Sequence, residues 1–346
     1  MKVLFWVYPS AFQEPGGGEV MLLKTKEALQ QQGIAVKLFN QWEDKLKDYD
    51  ILHIFGSVKD CLPLMEVAKD VGTKVVLSPI FWSTLQRALQ EHGGVTKRVK
   101  MSLQHLTKVA LPVMPSARRG MLELADTIVP NSEAEARQVS RLFAIPRSKM
   151  HVVYLGVDER FANAQAGEFE KKYKVKNFIL SVGRIEPRKN QLNLLKALRN
   201  SGYPLVIIGN PVPGYEAYFE ECKKASDSNC LFLSRLQHED SLLASAYAAS
   251  KVFVLQGWFE TPGLAALEAG LTGTQLAVTE AGSTYEYFGS YAEYLNPGKT
   301  TSIRNAIERA LKKTDVRELK QHIRRHFLWH NVAQKNIEVY QALLEK

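Results

Sequence analysis

Short apolar runs alternate along this chain with longer stretches whose apolar residues recur at helical spacing, the rhythm of stacked β-α-β units. In the first half, residues 3–8, 36–40, 51–55, 74–78, 127–130 and 151–154 read as strands, and residues 20–31 as a helix. A second series of strands follows at 178–182, 205–208, 231–233, 252–255 and 275–278, with helices fitting between them. Residues 158–176 are polar and charged and read as an interdomain connection. At the end, Val332, Val339 and Leu343 share a stripe with Ala333, Ile337, Tyr340 and Leu344, which predicts an amphipathic helix over 329–344. The expected class is α/β: one Rossmann-like domain over 1–158, a linker over 159–176, and a second over 177–328. Residues 329–346 are expected to pack back on the first domain.

The stretch Trp258-Phe-Glu-Thr-Pro-Gly-Leu-Ala-Ala-Leu-Glu-Ala-Gly270 follows the apolar run 252–255. Thr261 suits an N-cap and Pro262 the first helical position, so a helix is expected to open there, continuing through Gly263 and Leu264. A helix start presents backbone N–H groups and a partial positive charge, and so can hold a phosphate. Glu260 lies just before that start and Glu268 about two turns in, placing two carboxylates along one groove. A second cluster, Ser181-Val-Gly-Arg-Ile-Glu-Pro-Arg-Lys-Asn190, follows the strand 178–182. Arg184 offers a planar fork to phosphate oxygens and Lys189 a mobile point charge. At a strand-to-helix turn both would overlook the crevice at the carboxyl end of a parallel sheet. Arg188 reads as a solvent-facing extra. Near the start, Pro15-Gly-Gly-Gly-Glu19 leads into the first helix, where glycines permit positive φ and close approach of a ligand. Met21 stands where a dinucleotide fingerprint wants its third glycine, which weighs against an oxidoreductase.

At 346 residues the chain suits two domains, and 45% hydrophobic with 23% charged residues is a globular composition. No apolar run approaches the ~20 residues that span a bilayer. The opening apolar run is too short for a secretory leader and fits a first strand. Cys61, Cys222 and Cys230 have neither metal-ligand spacing nor even pairing, which fits a reducing cytoplasm. The net charge of +9 implies an anionic partner. Without zinc-finger spacing, RNA-binding aromatics or a basic tail, nucleic acid is the weaker choice. Residues 83–119 concentrate that charge in Arg87, Lys97, Arg98, Lys100, Lys108, Arg118 and Arg119, against the single acid Glu91. With Val99, Leu103, Leu106, Val109 and Ala110 they suggest an amphipathic helix. It either lies on anionic lipid, meets a phosphorylated acceptor, or is merely solvated. Asp48-Tyr-Asp50 has the spacing of a metal motif but precedes a strand and reads as a turn. His53, inside the strand 51–55, reads as a core or rim histidine.

Glu260-x7-Glu268 enclosing Pro-Gly-Leu resembles the signature of group 1 glycosyltransferases, retaining enzymes of the GT-B fold. In that fold two Rossmann-like domains face each other across a cleft. The resemblance implies that Glu260 contacts the donor sugar and Glu268 the ribose, and that Arg184 and Lys189 clamp the diphosphate. It implies further that Gly17 and Gly18 lie beside the donor, and that Thr261, Pro262, Gly263 and Leu264 form the helix opening. Gly209, Asn210, Leu236 and Gln237 would lie near the base. Gly156-Val-Asp158, Gly282-Ser-Thr-Tyr-Glu286 and the wording of residues 327–333 also resemble family segments. The expected donor is a UDP-sugar or, less favoured, a GDP-sugar. No metal or other cofactor is implied, and the expected acceptor is a glycan, a lipid-linked sugar or another hydroxyl compound. The setting is cytoplasmic or peripheral at the inner membrane face. Family members usually carry a His after the strand matched here by Lys74–Ser78. This chain has Ser78-Pro-Ile-Phe-Trp82, in which Phe81 and Trp82 either stack on a sugar or pack. That departure keeps open a non-catalytic nucleotide-sugar-binding regulator, alongside a GT-B epimerase or phosphorylase.

Overall fold

The computed structural model describes residues 1–13, 16–84, 94–261 and 263–345. The chain divides into two compact units, Met1–Gly156 with Trp329–Lys346, and Val157–Leu328.

The first unit is built on a parallel sheet of β1 (Lys2–Val7), β2 (Ala35–Leu38), β3 (Ile51–Phe55), β4 (Lys74–Ser78) and β5 (Thr127–Ile128), in the order β2-β1-β3-β4-β5. Every residue of β3 is buried, as its nearly unbroken apolar run requires of a strand covered on both faces. His53, the one polar member of β3, donates or accepts at both ring nitrogens: Nδ1 lies 2.6 Å from Tyr340 Oη and Nε2 2.9 Å from Ser78 Oγ. Burial pushes its pKa down to about 3, so it is a neutral core histidine. Tyr340 belongs to the helix Trp329–Leu344, which packs on the helix Gly17–Gln31.

Residues 151–154, expected as a strand, do not form one. They run beside β5 through His151 N–H to Ile128 O at 2.9 Å and Val153 N–H to Pro130 O at 3.0 Å. A parallel ladder would need a returning bond from the amide of residue 130, and proline has none.

The second unit carries β6 (Ile179–Val182), β7 (Leu205–Ile208), β8 (Cys230–Leu233), β9 (Val252–Leu255), β10 (Gln275–Thr279) and β11 (Glu293–Leu295), all parallel, in the order β11-β10-β9-β6-β7-β8. Its core strand β9 is almost wholly buried. Each such apolar side chain contributes about 1.5–3 kcal/mol relative to exposure. β11 escaped the sequence pattern because it is a short edge strand with a polar member: Glu293 turns outward to Arg309 and Lys313. Strand order reverses between β6 and β9. Their adjacent carboxyl ends therefore form the kind of crevice in which doubly wound sheets bind ligands.

Residues 159–176 are not an open connection. They fold as a 3-10 turn, Glu159–Asn163, and a helix, Gly167–Tyr173, within the second unit. Phe161 and Phe169 are fully buried there, and Phe169 N–H donates to Ser245 Oγ at 2.9 Å. Two apolar anchors among many charges are enough to dock the segment, while the charges face water.

Candidate active site

The two loops leaving β6 and β9 are stitched together before any charged group enters the picture. Asn190 ends the 3-10 turn Pro187–Lys189 in the left-handed region, φ 58°, and its buried amide donates to Gln256 O at 3.1 Å and to Pro297 O at 2.8 Å. Gln256 answers by donating to Lys189 O at 2.8 Å and accepting from Ser181 Oγ at 3.1 Å. Trp258 N–H donates to Arg188 O at 3.0 Å. Sequence reading passed over Asn190 and Gln256. The signal was an uncharged amide in each loop, Gln256 directly after β9 and Asn190 just before the helix that follows β6, where backbone groups need partners.

This stitching brings Lys189 to Glu260. Lys189 Nζ lies 2.7 Å from Glu260 Oε1, with side chains only 17% and 5% exposed. Burial lowers the Lys189 pKa below its ordinary value, and the Glu260 carboxylate works in the opposite sense. Glu260 is itself fixed by its backbone. Its N–H donates to Ala281 O at 3.0 Å, and its carbonyl accepts from Ser283 N–H at 2.9 Å. Gly282, at φ 116°, makes this possible, since a Cβ there would lie 1.9 Å from Glu260 O. Residues 281–283 thus serve as the backbone clamp of Glu260.

That clamp also corrects the expected helix start. With residue 260 held extended, the chain must reverse before it can wind. The helix runs Leu264–Thr272 with Gly263 as its N-cap at φ 91°, not from Thr261 and Pro262. Thr261 is half-buried in the turn, and Pro262 lies outside the described residues. The amides of the first turn, from Leu264 on, point back along the axis toward the Glu260 turn.

Glu268 is 5% exposed and held from two sides. His238 Nε2 lies 3.0 Å from Oε1, and Tyr247 Oη donates to Oε2 at 2.7 Å. Burial pushes the His238 pKa down, but the bonds to Glu268 and to Glu239 outweigh it and leave it raised. A carboxylate with two bonds still has lone pairs for a further donor. His238 and Tyr247 were missed by sequence reading. His238 directly follows Leu236-Gln237, but nothing in the spacing ties it to a residue thirty positions on.

Arg184 stands more open, 46% exposed and 3.5 Å from Glu186 Oε1. Arg188 shares that carboxylate at 3.0 Å and lies over the Phe259 ring at 5.5 Å, so it packs instead of merely facing solvent. Gly209 lets β7's exit touch the backbone after β6, since a Cβ would fall 2.0 Å from Gly183 O. Asn210 Oδ1 accepts from Arg235 N–H at 2.9 Å, beside half-buried Leu236 and exposed Gln237. The second unit therefore joins Lys189 directly to Glu260, with Arg184 on the same loop as Lys189 and Glu268 on the helix that follows Glu260.

Gly17 and Gly18 sit in the first unit, in the opening turn of Gly17–Gln31. Glu19 caps that turn by accepting from Gly16 N–H at 2.7 Å and Tyr8 Oη at 3.1 Å. Neither glycine has a positive φ, so that conformational freedom is not used at these two positions. A Cβ on Gly18 would meet nothing within 4 Å. Phe81 packs: it is 7% exposed, edge-on to Phe143 at 5.2 Å and under Arg118 at 5.0 Å. Its N–H donates at 2.6 Å to Glu135, a fully buried carboxyl whose pKa burial lifts to about 7. Ile80, just before, is held at φ 47°, an uncommon conformation for a β-branched residue.

Residues 165–326 match the family model described as glycosyl transferases group 1. The serotype-specific mannosyltransferase WbdA of Escherichia coli is 29% identical over 248 residues, covering 64% of this chain and 29% of WbdA. The O-antigen chain mannosyltransferase B of Escherichia coli is 24% identical over 238 residues, 64% of this chain and 62% of that one. The chain thus spans less than two thirds of the length of either curated relative. Among solved structures, Anabaena Alr3699/HepE in complex with UDP and glucose aligns with a TM-score of 0.74 at 18% identity, covering 99% of this chain and 100% of that one. Sucrose-phosphate synthase from Thermosynechococcus elongatus aligns at 0.76 with 15% identity and full coverage of both chains. At such identities the likeness is one of fold: two Rossmann-like α/β domains of the GT-B type.

Proposed function

We propose that this chain, which belongs to the group 1 glycosyltransferases, moves a sugar from a nucleotide-sugar donor to a hydroxyl acceptor with retention of anomeric configuration and without a metal ion. The observation that carries the reading is the Lys189–Glu260 pair at the switch point of the second sheet. Lys189 and Glu260 neutralise each other. A donor diphosphate would replace Glu260 as the partner of Lys189, with Arg184 and the amides from Gly263 and Leu264 gripping its other oxygens. Glu260, released, would accept hydroxyls of the sugar. Glu268, kept in place by His238 and Tyr247, would accept those of the ribose, with the base toward Gly209, Asn210, Leu236 and Gln237.

The departing diphosphate takes the acceptor's proton on the same face of the sugar, and its developing charge is met by groups already in place. A UDP-sugar is the first choice of donor, supported by the UDP bound in Alr3699/HepE. A GDP-sugar is the second. The mannosyltransferase relatives support a glycan or lipid-linked acceptor in surface-polysaccharide synthesis. Among the described residues no helix is long and apolar enough to cross a membrane. The cationic stretch 83–119 supports peripheral attachment at the inner face.

Glu260→Ala tests the assignment. It should abolish transfer without weakening nucleotide binding, because Lys189 remains for the diphosphate and no longer has a competing carboxylate. Equal loss of both would remove Glu260 from the sugar role. The regulator reading is favoured by one observation, the packed Phe81 and constrained Ile80 where the family usually places a His. Nucleotide binding with no transfer or hydrolysis of any donor would select it.

A further inference from the structure

The helix Gly94–Ala110 presents an apolar face that the described residues of its own unit leave largely uncovered. Val95, Val99, Leu103 and Leu106 fall at i, i+4, i+8 and i+11, one stripe along the helix, and are 75%, 51%, 58% and 48% exposed. Arg98 and Lys100 lie about 100° to either side of that stripe. From Gly94 to Arg119 the sequence contains no acid. The stripe runs into a groove of ≈ 580 Å³ between this helix and the turn that follows it, with Leu142 and Phe143 as its floor and Leu111 and Met114 on its far wall. Lys100 and Lys108 also line it, the Lys108 ammonium 5.6 Å from the Phe143 ring centre. A volume of this size suits a small-molecule ligand. Its lining is mainly apolar.

We propose that this groove seats the hydrocarbon chain of a phosphate-headed lipid, with Lys100 and Lys108 meeting the phosphate. The proposal rests on the reading of residues 83–119 as the membrane-facing surface, and it adds a ligand of defined chemistry to it. The lining decides the occupant. A phosphate-headed lipid offers hydrocarbon and an anionic headgroup together, matching a mainly apolar groove whose charged lining residues are Lys100 and Lys108, with no acid. The stripe outside the groove then faces the same hydrocarbon layer, as in helices that lie within a bilayer interface. A protein helix would fill the groove yet would need acids of its own to answer a lining charged with one sign.

The test is a calorimetric series of alkyl phosphates below their micelle concentrations, with inorganic phosphate and an alkyl maltoside as controls. If the chain enters the groove, each added methylene strengthens binding about fourfold, so octyl and decyl phosphate should differ on the order of tenfold. Inorganic phosphate and the maltoside should bind far more weakly. Thr107→Trp and Gln104→Trp each put an indole into the groove from an exposed helical position. Either should weaken decyl phosphate about tenfold or more while leaving the thermal stabilisation by UDP unchanged. Equal binding of octyl and decyl phosphate, or wild-type affinity in both tryptophan variants, overturns the proposal. Val95→Asp lies on the stripe beyond the groove. It should reduce flotation with phosphatidylglycerol vesicles and spare decyl phosphate binding. Failure of the wild-type chain to float, with chain-length dependence intact, therefore counts against the membrane reading, and equal binding of octyl and decyl phosphate by a chain that floats counts against the groove.

Discussion

Glu260→Gln is isosteric and removes one charge from a pair 2.7 Å apart that is largely shut off from water. Two unit charges about 4 Å apart attract by roughly 4 kcal/mol at an effective dielectric constant of 20. Deleting one partner of a buried pair costs about 3–5 kcal/mol, because the other charge is left desolvated. Since the Lys189 side chain keeps 17% of its surface in water, the lower end, about 3 kcal/mol, is expected for the unfolding of the second unit. Lys189→Met should cost a similar amount by stranding Glu260. The double variant should cost far less than the sum, about 1–2 kcal/mol, because neither charge is then left alone. The pH dependence has a definite sign. Burial already lowers the Lys189 pKa, and Glu260 opposes that. Without Glu260 the folded-state pKa falls further, so between that value and 10.5 the unfolded chain holds the extra proton. The wild type's Lys189 pKa is itself below 10.5, so the variant's deficit should shrink as pH rises between the folded-state pKa values of the two proteins and stay constant above them. Urea unfolding at several pH values measures all four proteins. UDP should also stabilise Glu260→Gln more than wild type, since the diphosphate supplies the missing anion. Additive single costs, or a deficit independent of pH, would refute the reasoning.

Two other substitutions probe the scaffold. Gly282→Ala would drive a Cβ into Glu260 O at a φ of 116°, so a loss of at least about 2 kcal/mol is expected, with transfer falling more than UDP affinity. Wild-type kinetics in that variant would show that the clamp does not position Glu260. Tyr340→Phe leaves His53 Nδ1 without its 2.6 Å partner in a fully buried setting and should cost about 1–3 kcal/mol in the first unit. A change below about 0.5 kcal/mol in urea unfolding would contradict that accounting.

The apolar runs that became β3, β4, β7 and β9 were legible because strands covered on both faces must be mostly apolar. What escaped was decided by single residues acting against the local pattern. Pro130 denied residues 151–154 a ladder, and Gly263 moved a helix start that Thr261 and Pro262 advertised. Phe161 and Phe169 docked a segment whose average composition says loop. In the site, charged groups were found from sequence because their chemistry is specific. Their supports were not: Gln256, Asn190, His238 and Tyr247 act through contacts between distant positions, which no local spacing encodes.

Calorimetric titration of UDP, GDP and uridine into the wild-type chain and Lys189→Met tests whether a diphosphate binds against Lys189 beside Glu260. A nucleoside diphosphate should bind the wild type and lose about tenfold or more in the variant, the share of a charge-assisted phosphate contact, while uridine binds both alike. Equal diphosphate affinity in the two proteins would contradict the account.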